Sequence, residues 1–174
     1  MSHLDPGTRD PGTGLMMRAM VEGDLDRVME IAASLATAPQ WMRGAYESAI
    51  SGGNGPRRIA LVAAHSGAVI GFAIARLVAQ VAEIETIGIA EKAQGYGFGS
   101  SLLLAVLEEL RLAGAEDVEL EVRASNEWAI RLYERAGFGE VGRRRGYYRE
   151  PAEDAVLLRL GLRSSASELF SGLD

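Results

Sequence analysis

A chain of 174 residues, 48% hydrophobic, is the length of one domain and can hide about 70% of its unfolded surface, so a genuine core is available. The lack of cysteine excludes disulfides, thiolate metal sites and a cysteine nucleophile. With only His3 and His65 to supply imidazole, a Ser-His-Asp hydrolase and a histidine-rich zinc site are set aside, and no metal is expected. No apolar run approaches the roughly 20 residues of a membrane span, and a formal charge of -6 argues against a nucleic-acid surface and for a cationic or amine-bearing partner.

Residues 1–14 repeat DPGT at Asp5 and Asp10 and carry few apolar side chains. They read as a disordered leader without the regions of a signal peptide, which predicts a cytoplasmic protein. Residues 15–20 read as a strand. Asp24 is placed to cap a helix whose apolar face is Leu25, Val28, Met29, Ile31 and Ala32, and a second, weaker helix is expected over 39–51, ended by the turn-rich SGGNGP. Strands over 57–65 and 68–79 form a hairpin at Ser66–Gly67, with another strand over 81–89. A helix runs from Gly97 to the glycine stop at Gly114, and a strand covers 117–122. Ser125 or Asn126 caps a further helix that ends before Gly137. Strands near 140–147 and 154–160 complete a mixed α/β domain over 15–162, and 163–174 is a polar tail.

The turn AEKAQGYGFGS, with Gly95, Gly97 and Gly99 ahead of a helix, offers free backbone N–H groups at a helix terminus of partial positive charge, a nest suited to phosphate. A side chain at Gly97 or Gly99 is expected to block that approach. A dinucleotide fingerprint fails, because the third glycine position falls on Ser100 or Leu102, and no Lys-Ser/Thr pair follows for a P-loop.

What does fit is Q-x-x-G-x-G at Gln94, Gly97 and Gly99, and here the chain resembles the GNAT superfamily of coenzyme-A-dependent N-acetyltransferases. LEVRASN from Leu120, the AI, LYE and GF elements up to Phe138, and RRRGYY then EDA narrow the resemblance to the RimI-like ribosomal-protein-alanine N-acetyltransferases, over residues 17–160. The resemblance implies a GNAT fold, a mixed sheet of about six or seven strands flanked by about four helices. It also implies acetyl-CoA as co-substrate and, as acceptor, the N-terminal alanine of a small-subunit ribosomal protein or a similar peptide, taken by a monomer or weak dimer. A GNAT acting on small amines or other protein N-termini, and a non-catalytic acetyl-CoA sensor, are the alternatives.

Acyl transfer from a thioester needs a neutral amine, an oxyanion site and a proton for the thiolate. Alternation in the strand from Asp117 puts Glu119, Glu121 and Arg123 on one face, with Glu121 at the C-terminal end where ligands approach open sheets. The resemblance makes Glu121 the general base, Tyr133 the general acid and Asn126 a cofactor residue; Asn126, Ile130 and Tyr133 share a helix side expected to face the glycine turn. Glu85 is the rival base or a carboxylate that gathers a cationic acceptor, and it shares a face with Ile87 and Ile89 if that strand is regular. By the same resemblance, the backbone of Ile87, Gly88 and Ile89 holds the acetyl and pantetheine parts, and Gln94, Gly95, Tyr96, Gly97, Phe98, Gly99 and Ser100 hold the pyrophosphate. Arg143, Arg144 and Arg145 read as a solvated hairpin rather than an RNA contact, and Tyr147 and Tyr148 as walls of a peptide groove. Trp41 and Trp128 are core anchors or rim residues, and His65 an ordinary strand residue. The chain departs from the family where Glu91 replaces a frequent Pro, Gly95 the usual Arg, and Tyr96 a frequent Gln, which removes a positive charge beside the pyrophosphate.

Overall fold

Apolar side chains on alternate positions of the central strands face two different helix pairs, and this divides the core in two. The structure, a computed structural model, describes residues 8–9, 12 and 14–162. Its strands are β1 (Thr8–Arg9), β2 (Leu15–Ala19), β3 (Arg57–His65), β4 (Ala68–Val78), β5 (Val81–Ile89), β6 (Asp117–Arg123), β7 (Gly139–Arg149) and β8 (Ala152–Gly161). Its helices are α1 (Leu25–Ser34), α2 (Arg43–Ser51), α3 (Phe98–Leu112) and α4 (Glu127–Arg135). The strands form one sheet in the order β1-β2-β3-β4-β5-β6-β8-β7, antiparallel throughout except where β5 meets β6.

One face packs on α3 and α4: Leu102, Leu103, Val106 and Leu110 of α3 and Ala129 and Tyr133 of α4 meet Leu61, Ala73, Ile84, Val118, Leu120 and Leu158. The other carries α1 and α2, where Leu25, Val28, Ile31 and Tyr46 close over Val62, Phe72 and Ile74. Seven full strands and four helices match the predicted α/β architecture. No helix among the described residues is long and apolar enough to cross a membrane.

Two local expectations change. Asp24 does not cap α1 through its side chain; its carboxylate accepts hydrogen bonds from both terminal guanidinium nitrogens of Arg18, at 2.7 and 2.8 Å, and from the Val21 N–H at 2.9 Å, tying the turn before α1 to β2. The second helix starts at Arg43, not residue 39, because the chain is still extended at Met42 (φ -70°, ψ 150°). Within the segment expected as leader, Thr8–Arg9 pair with Met17 and Met16. The rest of that segment apart from Gly12 and Gly14, and the predicted tail, lie outside the described residues.

Candidate active site

The sheet is split at its centre. β5 and β6 pair only from Val81↔Asp117 to Glu83↔Glu119; beyond that the C-terminal halves part, so the β5 edge from residue 84 to 89 faces an opening instead of a strand. Free N–H and C=O groups along such an edge invite an extended ligand. The irregularity begins at Glu85, which has no partner in β4 while Ile74 pairs with Thr86 and Ala75 with Ile84. This bulge reverses the alternation. Ile84, Ile87 and Ile89 all turn to the α3–α4 core, whereas Glu85 reaches Arg58 on the α1–α2 side. The expectation that Glu85 shares a face with Ile87 and Ile89 is therefore corrected.

Gly88 also has a packing role: a Cβ there would lie 2.5 Å from Leu35 Cδ1. The Glu85 carboxylate is gripped by both Nε and a terminal nitrogen of Arg58, at 2.8 and 3.2 Å.

After β5 the Gln94 side-chain N–H donates to the Ile89 carbonyl at 3.0 Å, folding the turn back on the strand. Gly95 (φ 85°) and Gly97 (φ 82°) adopt the left-handed conformation, which costs other L-residues about 1–2 kcal/mol. A Cβ at Gly97 would meet nothing within 4 Å, so this glycine serves the backbone conformation that opens α3 rather than relieving crowding in the protein itself. Gly99 differs: a Cβ there would stand 3.4 Å from Trp128 Cη2, in the gap between α3 and α4. Tyr96 is exposed and stacks on Phe98, whose ring also meets His65.

A cleft of about 270 Å³ lies in that gap, with Gln94, Gly95, Gly97, Gly99 and Ser100 on one wall and Trp128, Arg131, Leu132 and Arg135 of α4 on the other. Ser100 and the three glycines line the same wall of this cleft. The α4 wall is not the predicted one. Ile130 and Tyr133 pack in the core, because α4 gives the sheet its apolar side and turns the stripe at 128, 131, 132 and 135 to the cleft. Those four were missed as a set, although i, i+3, i+4, i+7 spacing in the sequence carries the signal. Asn126 caps α4, its Oδ1 accepting from the Ala129 N–H at 3.2 Å. Trp41 packs on Tyr46, ring centroids 5.4 Å apart.

A second group gathers at the far bank of the split. Val118, Leu120 and Val122 of β6 are buried with α3 and α4, so Glu119 and Glu121 project from the opposite face. Glu121 is 22% exposed and meets Arg144 Nε at 3.2 Å. A hydrogen bond to the Glu121 carboxylate holds the Tyr147 phenol above its usual range. β7 bulges between Arg144 and Tyr148, and Asp154 Oδ1 accepts the Gly146 N–H there at 2.9 Å; this brings Tyr147 over Glu121. Tyr148 lies under the Arg123 guanidinium, 4.1 Å from the ring centroid. Tyr133 is buried on the other side of the sheet against Phe138, centroids 5.7 Å apart, and burial first, Tyr148 second, pushes its phenol well above the usual value. The carboxylate and the phenol thus flank the sheet from opposite faces. Among the described residues no cluster of three or more His, Asp or Glu is arranged to hold a metal.

Residues 25–138 match the model of the Acetyltransferase (GNAT) family. The chain is 36% identical over 138 residues to the [ribosomal protein bS18]-alanine N-acetyltransferase of Haemophilus influenzae, covering 78% of this chain and 90% of that one. It is 29% identical over 150 residues to the Haemophilus ducreyi enzyme of the same name, covering 84% of this chain and 100% of the relative. The crystal structure of the ribosomal-protein-S18-alanine N-acetyltransferase from Escherichia coli superposes with a TM-score of 0.75 at 31% identity, over 84% of this chain and 93% of that one. The split sheet, the glycine turn and these likenesses agree: the chain belongs to the GNAT family and is an N-acetyltransferase of the RimI-like kind.

Proposed function

We propose that this enzyme transfers the acetyl group of acetyl-CoA to the N-terminal α-amine of a protein, with the alanine-starting terminus of a small-subunit ribosomal protein as acceptor. The relatives named above act on ribosomal protein bS18, which supports the same kind of acceptor for this chain. The donor fits the residues present: the split leaves a backbone edge from 84 to 89 for an extended pantetheine arm, and the glycine turn and α3 N-terminus bring N–H groups to the cleft where the phosphates would lie.

The observation that carries the mechanism is the placing of Glu121 and Tyr133 on opposite faces of the split sheet. An acceptor approaching from the Glu121 side meets the thioester in the opening and gives its proton to the carboxylate as the C–N bond forms. The C–S bond breaks towards the α4 side, where the Tyr133 hydroxyl protonates the departing thiolate. Burial keeps Tyr133 neutral, as a proton donor must be. A backbone N–H among residues 87–89 stabilises the oxyanion. An α-amine has a pKa of about 8, so removing its proton at neutral pH costs little. Arg144 and Tyr147, which hold Glu121, belong to the groove that receives the peptide, with Tyr148 beside them and Glu85 at its opposite edge.

Acetyl-CoA turnover on a synthetic peptide beginning Ala-Arg, compared with the same peptide carrying a blocked α-amine and one free lysine, tests this reading. Acetylation of the free terminus alone is the expected result. Turnover only on polyamines or other small amines would replace it with the small-amine reading, and cofactor binding without turnover with the sensor.

A further inference from the structure

The turn that opens α3 is poor in charge. From Gln94 to Ser101 no side chain is cationic. Backbone N–H groups and the helix terminus supply about half an elementary charge, a small counterweight to the phosphates of a coenzyme A nucleotide, on a protein whose own formal charge is -6. The missing cations stand on the facing wall. Arg131 and Arg135 both line the cleft, one helical turn apart on α4.

Their present engagements are slight. Among the described residues Arg131 pairs only with Glu127, at 3.3 Å, with both side chains more than half exposed, a contact of little energetic consequence. Arg135 has no ion pair among the described residues. Trp128, 56% exposed, stands one turn before Arg131 and lines the same cleft, its Cη2 beside Gly99. An indole and two guanidinium groups facing a helix N-terminus make a surface chemically matched to a purine nucleotide: flat apolar area for the base and forked donors for phosphate.

We propose that α4 reads the nucleotide end of the acyl donor, with Arg131 and Arg135 supplying the phosphate contacts that the turn lacks and Trp128 the contact to the base. Donor recognition is then tied to the nucleotide, and thioesters that carry only a pantetheine arm are discriminated against at this wall. This rests on the reading of the cleft as the donor site, and it assigns to α4 what the sequence motif alone would assign to the turn.

The test is binding, which needs no acceptor. CoA and 3'-dephospho-CoA are titrated calorimetrically into the full chain and its Arg131→Gln, Arg135→Gln and double variants, and pantetheine is followed by NMR chemical shift. Melting temperatures establish that each variant folds. Loss of one charge-assisted phosphate contact is expected to raise the Kd for CoA about tenfold, and loss of both about a hundredfold, with pantetheine unaffected. A penalty that disappears with 3'-dephospho-CoA assigns the contact to the 3'-phosphate, and one that persists assigns it to the pyrophosphate; either supports the proposal. An unchanged Kd for CoA in the double variant, or an equal loss for pantetheine, overturns it. If the unmodified protein binds no CoA, the donor-site reading falls with it, whereas failure of the peptide assay alone leaves this proposal standing.

Discussion

Two carboxylates compete for the role of proton acceptor, and their partners separate them. Arg58 engages both oxygens of Glu85, at 2.8 and 3.2 Å, in a pair only 14% exposed on the carboxylate side. With both oxygens turned to a guanidinium fork, Glu85 is aimed at Arg58 and not at the opening where an acceptor would stand. Glu121 accepts a hydrogen bond from the Tyr147 phenol and meets only a single nitrogen of Arg144, whose side chain is 55% exposed, so an incoming ammonium has one exposed cationic contact to displace. Glu121→Gln is accordingly expected to lower kcat by about a hundredfold or more, with the greatest loss at low pH, where the acceptor amine is most protonated. Glu85→Gln should act mainly on folding and on peptide KM, since it leaves Arg58 without its partner. A pH profile of kcat for both variants decides between them, and a larger kcat loss in Glu85→Gln would reassign the base.

Elements were legible in the sequence where one rule acts alone. Local patterning, caps and turn signals marked the four helices and the seven full strands, with the second helix expected four residues too early, and the spacing of Gly95, Gly97 and Gly99 placed the turn, because each signal is local. What stayed hidden arises from pairing. The bulge at Glu85 follows from how β4 and β5 register, and nothing in the run VAEIETIGI announces that alternation reverses at its sixth residue. The bulge of β7 that carries Tyr147 to Glu121 has the same origin. For α4, the sequence shows two candidate stripes, and only the neighbouring sheet decides that Tyr133 goes in and Arg131 goes out. The glycine turn yields a prediction at this scale. At Gly97 a valine would have to hold φ near 82°, a strain of order 1–2 kcal/mol, which in a domain of this size lowers the melting temperature by roughly 2–8 °C. Gly97→Val is thus expected to stay folded while losing CoA binding, because the turn leaves the left-handed conformation to relieve the strain. Thermal melts beside CoA titrations check this, and intact affinity would remove the turn from the cofactor site.

On the scale of the whole molecule, the two cores lie back to back across one sheet, and each holds a buried tyrosine whose phenol is pushed upward chiefly by burial: Tyr46 on the α1–α2 side, Tyr133 on the α3–α4 side. Tyr148, half-buried beside the split, is raised for the same first reason. The sign of the linkage follows directly. A raised phenol binds its proton more tightly in the folded state than in the unfolded chain, so between the ordinary value of 10.0 and the folded value the native state carries the extra proton. Stability is then complete below pH 10 and declines as pH rises above it. The protein should therefore lose melting temperature steeply on the alkaline side of about pH 10, as its buried phenols are forced to ionise. Tyr46 is the position at which to separate this from general charge repulsion. It is 1% exposed, packed between Trp41 and Phe72 with ring centroids 5.4 and 6.3 Å away, and a phenylalanine would keep that packing while removing one titrating group. Tyr46→Phe is expected to flatten the fall in melting temperature above about pH 10, where phenols ionise, without changing the melt at pH 7 by more than a few degrees. An unaltered alkaline slope would assign the loss to the other tyrosines or to net charge.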